Sequence, residues 1–141
     1  MNTHFSRYLA DVAAIPPLTP ELETQLARTA QRGRRGKASQ KEKQASLEAR
    51  TRLVEASLNL VAAVARGFAD SQPALEELVF KGNQGLLLAA ERFNPNRARG
   101  RFVDYARRRI RRAILLAVRE AHSHRTPAHG RSSSARRDPT A

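Results

Sequence analysis

Residues 101–120 read RFVDYARRRIRRAILLAVRE. Within them Phe102, Ala106, Ile110, Ala113, Ile114, Ala117 and Val118 recur at steps of three and four, which puts them on one face of a helix. Arg107, Arg108, Arg111 and Arg112 fall largely elsewhere on its surface. A helix so divided packs its apolar face on its own domain and offers guanidinium groups to a polyanion. Guanidinium stays charged and holds phosphate oxygens two at a time.

Working back along the chain, every apolar segment keeps helical spacing and none alternates as a strand would. Leu75, Leu78, Val79, Leu86, Ala89, Ala90 and Phe93 line a helix over about 74–93. Gly82 and Gly85 lie in its middle, predicting either a break or the close approach of another backbone. Over about 45–69, Val54, Leu58, Val61, Ala65 and Phe68 form one stripe and Leu53, Leu60 and Val64 a second, so this helix is expected to be largely buried. Thr19 is placed to cap a helix beginning at Pro20, with Glu21 and Glu23 at its positive end. Leu22, Leu26 and Ala30 make its stripe and Gly33 its end. Tyr8, Leu9, Val12 and Ile15 mark a short first helix, stopped by Pro16 and Pro17. The segment 34–46 is polar and reads as a connector or a frayed helix start. Residues 121–141, rich in Ser, Arg, Pro and Gly, read as a disordered basic tail. The expected fold class is all-α: a compact helical bundle, with the helix from Thr19 packed against the Arg-rich helix.

The charge supports a polyanionic partner. Of 141 residues, 26 are Lys or Arg and 13 Asp or Glu, a formal net charge of +13. From Asn94 onward there are 13 basic and 3 acidic side chains, a net of +10, so the binding surface should lie in the last third. With no Cys, disulfides and thiolate chemistry are excluded. No apolar run suits a transmembrane helix, and the start MNTHFSRYLADV is not a secretory signal. An apolar face of mostly Ala and Ile, in a chain without Trp, argues against a membrane-surface helix.

No catalytic constellation is legible. There is no nucleophile elbow, phosphate loop or HExxH pattern, and Glu76 and Glu77, adjacent on a helix, do not face each other. His122, His124 and His129 lack carboxylate or thiolate partners, so no metal site and no cofactor is expected. Phe102 and Tyr105 are interleaved with the arginines. Each is either a core ring or a stacking platform for an unpaired base, and the Tyr105 hydroxyl favours a wetter position.

Taken together, the segments resemble the bacterial sigma-70 family of RNA polymerase initiation factors. Tyr8-Leu9, then Ile15-Pro16-Pro17-Leu18-Thr19-Pro20-Glu21 and Leu26-Ala27, are similar to the family's region 1.2. Leu53-Val54-Glu55-Ala56-Ser57-Leu58-Asn59-Leu60-Val61 resembles the start of region 2. Glu77-Leu78-Val79-Phe80-Lys81-Gly82-Asn83-Gln84-Gly85-Leu86, with Ala90-Glu91-Arg92-Phe93-Asn94-Pro95, resembles its central helix. Phe102-Val103-Asp104-Tyr105-Ala106 and Ile110-Arg111-Arg112-Ala113-Ile114 resemble its promoter-reading helix.

The resemblance implies a division into region 1.2-like helices over 1–33, a polar connector over 34–46, region 2-like helices over 47–120 and the tail over 121–141. It implies a non-enzymatic, sigma-like initiation factor, cytoplasmic and nucleoid-associated. Its partners would be core RNA polymerase, through the β′ clamp helices, and the single-stranded −10 region of promoter DNA. The implied polymerase-binding residues are Glu77, Phe80, Lys81, Asn83 and Gln84. The implied DNA-binding residues are Arg99, Arg101, Phe102, Tyr105, Arg108, Arg109, Arg111 and Arg112. Tyr105 would stack on the flipped adenine. The family's tryptophan pair falls on Arg108 and Arg109, and Arg112 stands where a Gln often reads the upstream base pair, which implies a preference for guanine. The family's two further helical domains have no counterpart here, so the resemblance implies either promoter recognition through region 2 alone or an additional protein for the upstream contact. Two other functions fit the pattern: a polymerase-binding regulator or competitor of the host sigma factor that does not melt DNA, and a non-specific basic DNA-binding protein.

Overall fold

Short polar side chains set where the helices begin. Thr19 Oγ1 accepts from the Leu22 amide at 3.1 Å, opening a helix whose first residue is Pro20. Ser39 and Glu42 form a reciprocal capping box, each side chain accepting from the other's backbone amide, at 3.1 and 2.9 Å. Ser71 Oγ accepts from the Ala74 amide at 3.3 Å. Each such cap is worth about 1 kcal/mol. The computed structural model describes residues 3–97 and 100–125. They form α1 (Thr3–Ala13), α2 (Pro20–Arg32), α3 (Gln40–Arg66), α4 (Gln72–Arg92) and α5 (Phe102–Arg125), with no strand among the described residues. The all-α expectation holds.

The start of α3 and the end of α5 differ from those expected, and the course of α4 is settled. The capping box starts α3 at Gln40, so only the first half of the polar segment 34–46 lies outside a helix. Helix α5 continues through 121–125, five residues expected to belong to the tail; residues 126–141 lie outside the described residues. Helix α4 runs unbroken past Gly82 and Gly85, which resolves the choice between a break and a close approach. A Cβ on Gly82 would lie 2.7 Å from Val61 Cγ1 of α3, and one on Gly85 would lie 2.8 Å from the Arg109 carbonyl oxygen of α5. Both distances are shorter than any carbon would tolerate, so the glycines let α4 seat against both neighbours.

Helix α3 lies at the centre, touching each of the other four helices. Leu53, Val61, Leu86, Phe102, Ile110 and Ile114 are almost wholly buried. Each such side chain contributes about 1.5–3 kcal/mol on leaving water. Small residues decide which face of a helix is deepest. In α3 the fully buried line runs through Ser46, Ala49, Leu53, Ser57, Val61 and Ala65, while Val54, Leu58, Leu60 and Val64, and Phe68 just past its end, are only partly buried. In α2 it is Glu23, Ala27 and Ala30, with Leu22 and Leu26 half-buried beside them.

Helix α2 packs mainly on α3, not on the Arg-rich helix as expected; it touches α5 only slightly. The reason is the joint between α2 and α3. Ser46 Oγ donates to the Ala30 carbonyl at 2.7 Å, and a Cβ on Gly33 would overlap Ser46 Cβ. The connector is also more than a spacer. Arg34 donates to the carbonyl oxygens of Ala90 (2.9 Å), Glu91 and Phe93 (2.7 Å), and to Gln31 Oε1 (2.9 Å). It thereby satisfies the open carbonyls at the end of α4 and adds a cation where the helix dipole is negative. Burial, reinforced by the charge of Arg50 and opposed by that of Glu91, lowers the Arg34 pKa from its usual value.

Candidate nucleic-acid interface

The link from α4 to α5 is fixed at both ends. Arg34 holds the Phe93 carbonyl. At the other end Gly100 takes a φ of +98°, a conformation open to glycine and strained for other residues. Arg101 then turns to α2. Its Nη2 and Nε donate to the two carboxylate oxygens of Glu23 at 2.9 and 3.3 Å. That forked bond raises the guanidinium's pKa further. Glu23 is 5% exposed, so the pair has one end in the protein and one in water.

From this fixed start α5 presents its first turns. Phe102 is 2% exposed and meets Phe93 edge to face, with centroids 5.4 Å apart. It is therefore a core ring, which corrects its placement among the residues available to DNA. Tyr105 is half-buried, its ring 5.3 Å from that of Phe93 and tilted by 51°. The guanidinium carbons of Arg109 and Arg108 lie 5.7 and 6.0 Å from the Tyr105 centroid. Phe102, Phe93 and Tyr105 thus form a relay from the core to the surface, ending in a ring flanked by two cations. Such contacts contribute roughly 0.5–1 kcal/mol each at exposed sites.

The other arginines go different ways. Arg101 is paired with Glu23. Arg111 lies over the Phe68 ring at 5.3 Å and ties α5 to the end of α3. Arg112 is exposed toward a groove between α4 and α5. Arg99 lies outside the described residues. Of the eight residues proposed for DNA, Tyr105, Arg108 and Arg109 form one cluster.

The outer face of α4 separates its five candidates too. Glu77, Phe80 and Gln84 are exposed and recur at helical spacing, with Phe80 58% exposed. Lys81 is half-buried and faces a cleft lined by Phe68, Glu77 and Ala117. Asn83 Nδ2 donates to the Tyr8 hydroxyl of α1 at 3.2 Å, so this side chain braces α1. Leu87, 54% exposed, extends the stripe of Glu77, Phe80 and Gln84 and was not foreseen, although its seven-residue spacing from Phe80 was visible. The Glu23–Arg101 pair and the Arg34 cap left no local signal, because their partners are 78 and 56–59 residues away.

Among the described residues no three or more metal-ligating side chains come together, and no helix is long and apolar enough to cross a membrane. His129 lies outside the described residues.

Residues 53–124, just over half of the chain, match the family model for sigma-70 region 2. Two relatives, the RNA polymerase sigma factors SigA of a Bacillus species and of Listeria monocytogenes, are each 31% identical over 130 residues. The alignment takes in 92% of this chain, so the likeness extends outside region 2. The chain spans 31% of the length of these relatives. Tyr105, Arg108 and Arg109 lie inside the matched segment, and the chain belongs to the sigma-70 family.

Proposed function

We propose that the chain is a sigma-like transcription initiation factor, which binds core RNA polymerase and captures unpaired bases of the promoter −10 element. The observation that carries this is the Tyr105 ring: half-exposed, backed by Phe93 and flanked by Arg108 and Arg109. A ring supported from beneath needs little ordering when a base arrives; the guanidinium groups that lie over it would give way to the base and move to neighbouring phosphates. Phe102 acts beneath the site as support for Phe93. Arg101, held by Glu23, and Arg111 and Arg112, further along α5, stand outside this cluster and would add positive charge to the same helix. No covalent step is assigned to this chain. The action would be cytoplasmic, at the nucleoid, with an additional protein supplying any upstream promoter contact.

Polymerase would dock on the exposed line of Glu77, Phe80 and Gln84, with the β′ clamp helices as the partner surface. Phe80 is the expected anchor, since a large exposed ring gains most from being covered. Lys81 and Asn83, turned to either side, would lie at the rim. A division into region 1.2-like and region 2-like parts agrees with this, joined by the Arg34 connector.

A second reading, a polymerase-binding regulator that does not open DNA, is favoured by one feature. Guanidinium groups occupy positions 108 and 109 beside Tyr105, and they wedge between bases less well than flat apolar rings do.

The test is co-purification of nuclease-treated chain with bacterial core polymerase, with the housekeeping sigma factor as competitor, followed by opening assays on a −10 promoter. Displaceable binding with opening supports an initiator. Displaceable binding without opening supports the regulator. Failure of wild type and Phe80→Ala alike to bind core overturns both and leaves a basic DNA-binding protein.

A further inference from the structure

Beside Arg109, two large apolar side chains are exposed among the described residues. Leu88 of α4 is 41% exposed and Leu116 of α5 is 51% exposed. They flank a groove floored by Gly85 and Ala113, where the two helices approach most closely. Its rim is Arg92, Arg109 and Arg112. Past Leu116 the surface continues with Arg108, Arg111 and Arg119. Among the described residues no carboxylate lines either stretch.

An apolar centre inside a ring of one charge is chemically selective. We propose that this groove docks an acidic amphipathic helix of a partner protein, leucine-type side chains entering between Leu88 and Leu116 and carboxylates meeting the arginine rim. A second copy of this chain would bring arginines against arginines, which opposes association. A nucleic-acid backbone would satisfy the arginines, yet a phosphodiester offers Leu88 and Leu116 no apolar surface. A helix with acidic and apolar faces satisfies both features, and the groove runs beside two helices, as helix-in-groove recognition requires.

The position of the groove gives docking a consequence. Arg109 both rims it and lies over the Tyr105 ring. A carboxylate that pairs with Arg109 or Arg112 withdraws that cation from DNA. The docked partner would therefore compete with base capture; this consequence rests on the DNA-binding function proposed above, whereas docking itself does not.

The test uses a fluorescein-labelled helical peptide with leucines along one face and glutamates elsewhere, and a scrambled peptide of the same composition. Anisotropy is read with the full chain at physiological salt, without nucleic acid. The amphipathic peptide is expected to bind and the scrambled one to bind roughly tenfold more weakly or worse. Leu88→Ser and Leu116→Ser, both at exposed positions, are expected to weaken binding roughly tenfold each while circular dichroism stays unchanged. Arg92→Glu should weaken it as well. Equal binding of the two peptides, or no effect of the leucine variants, would show a mere cationic surface and overturn the proposal. So would self-association abolished by Leu116→Ser, or an equal loss of single-stranded DNA binding in the leucine variants. In a separate arm a −10 oligonucleotide should be displaced by the amphipathic peptide. If the peptide binds in the first arm but the oligonucleotide never binds wild type, the DNA-binding function fails and the docking site stands.

Discussion

The outer face of α4 and the first turns of α5 lie on helices that share one crossing, yet they are built in opposite ways. On α4, Phe80 and Leu87 stand out in water, 58% and 54% exposed. On α5, Tyr105 is propped by Phe93, which is locked by Phe102 below and by Arg34 through its carbonyl. The first face is complete only when something covers it. The second is already organised, so little ordering is left to do when a ligand arrives. Under the proposed function, the unsupported face would take a protein partner and the supported ring an unpaired base.

The widest break in that comparison removes the crossing itself. Ile110 is wholly buried between the helices. Ile110→Ala should cost about 2–5 kcal/mol and, in denaturant unfolding, lower the midpoint and weaken both faces together. Gly85→Val should cost about 1–3 kcal/mol or more, since its side chain must displace the Arg109 backbone rather than a flexible group.

A narrower break separates the faces. Phe80→Ala should leave thermal unfolding within about 0.5 kcal/mol of wild type, because the ring is exposed, while lowering affinity for core polymerase by roughly tenfold or more. Equal loss of stability and affinity would mean that the ring serves the fold.

Arg34→Ala sharpens the comparison from the other side. Three carbonyls lose their donor, at a cost of about 1–3 kcal/mol. Hydrogen exchange should rise at the end of α4 and the link to α5, with single-stranded DNA binding falling and polymerase binding kept. The smallest expected effect is at Asp104, whose ion pair with Arg107 spans 3.6 Å between half-exposed side chains. Removing it as Asp104→Asn should change stability by about 0.5 kcal/mol or less.

Legibility in the sequence followed the same division. Caps and apolar spacing gave α2, α4 and α5 because those signals are local: Thr19 before Pro20, and Phe102 through Val118 at steps of three and four. The pattern leaves the start of α3 open between a connector and a frayed helix start, because a polar helix exposed to water has no stripe, although Ser39 and Glu42 stand at capping-box spacing. The packing of α2 was missed because small residues, Ala27, Ala30 and Gly33, set the close approach, and they carry little weight in a hydrophobic pattern. Within the site, spacing showed that Phe102 and Tyr105 are interleaved with the arginines, but did not single out Arg108 and Arg109 as the two over the Tyr105 ring. It could not tell that Phe102, three residues earlier, is core, nor that Arg101 is held by Glu23, because both facts depend on helices far away in the chain.

The central claim is that Tyr105 is a prepared platform for an unpaired base, and it is tested most directly on a complex with core polymerase. Affinity for a single-stranded −10 oligonucleotide and for its duplex would be measured by anisotropy with wild type and Tyr105→Ala. Loss of one base–ring stack, about 1–3 kcal/mol, predicts roughly a 5- to 150-fold drop for the single strand and almost none for the duplex. An unchanged single-strand affinity, or an equal drop for both, would contradict the account.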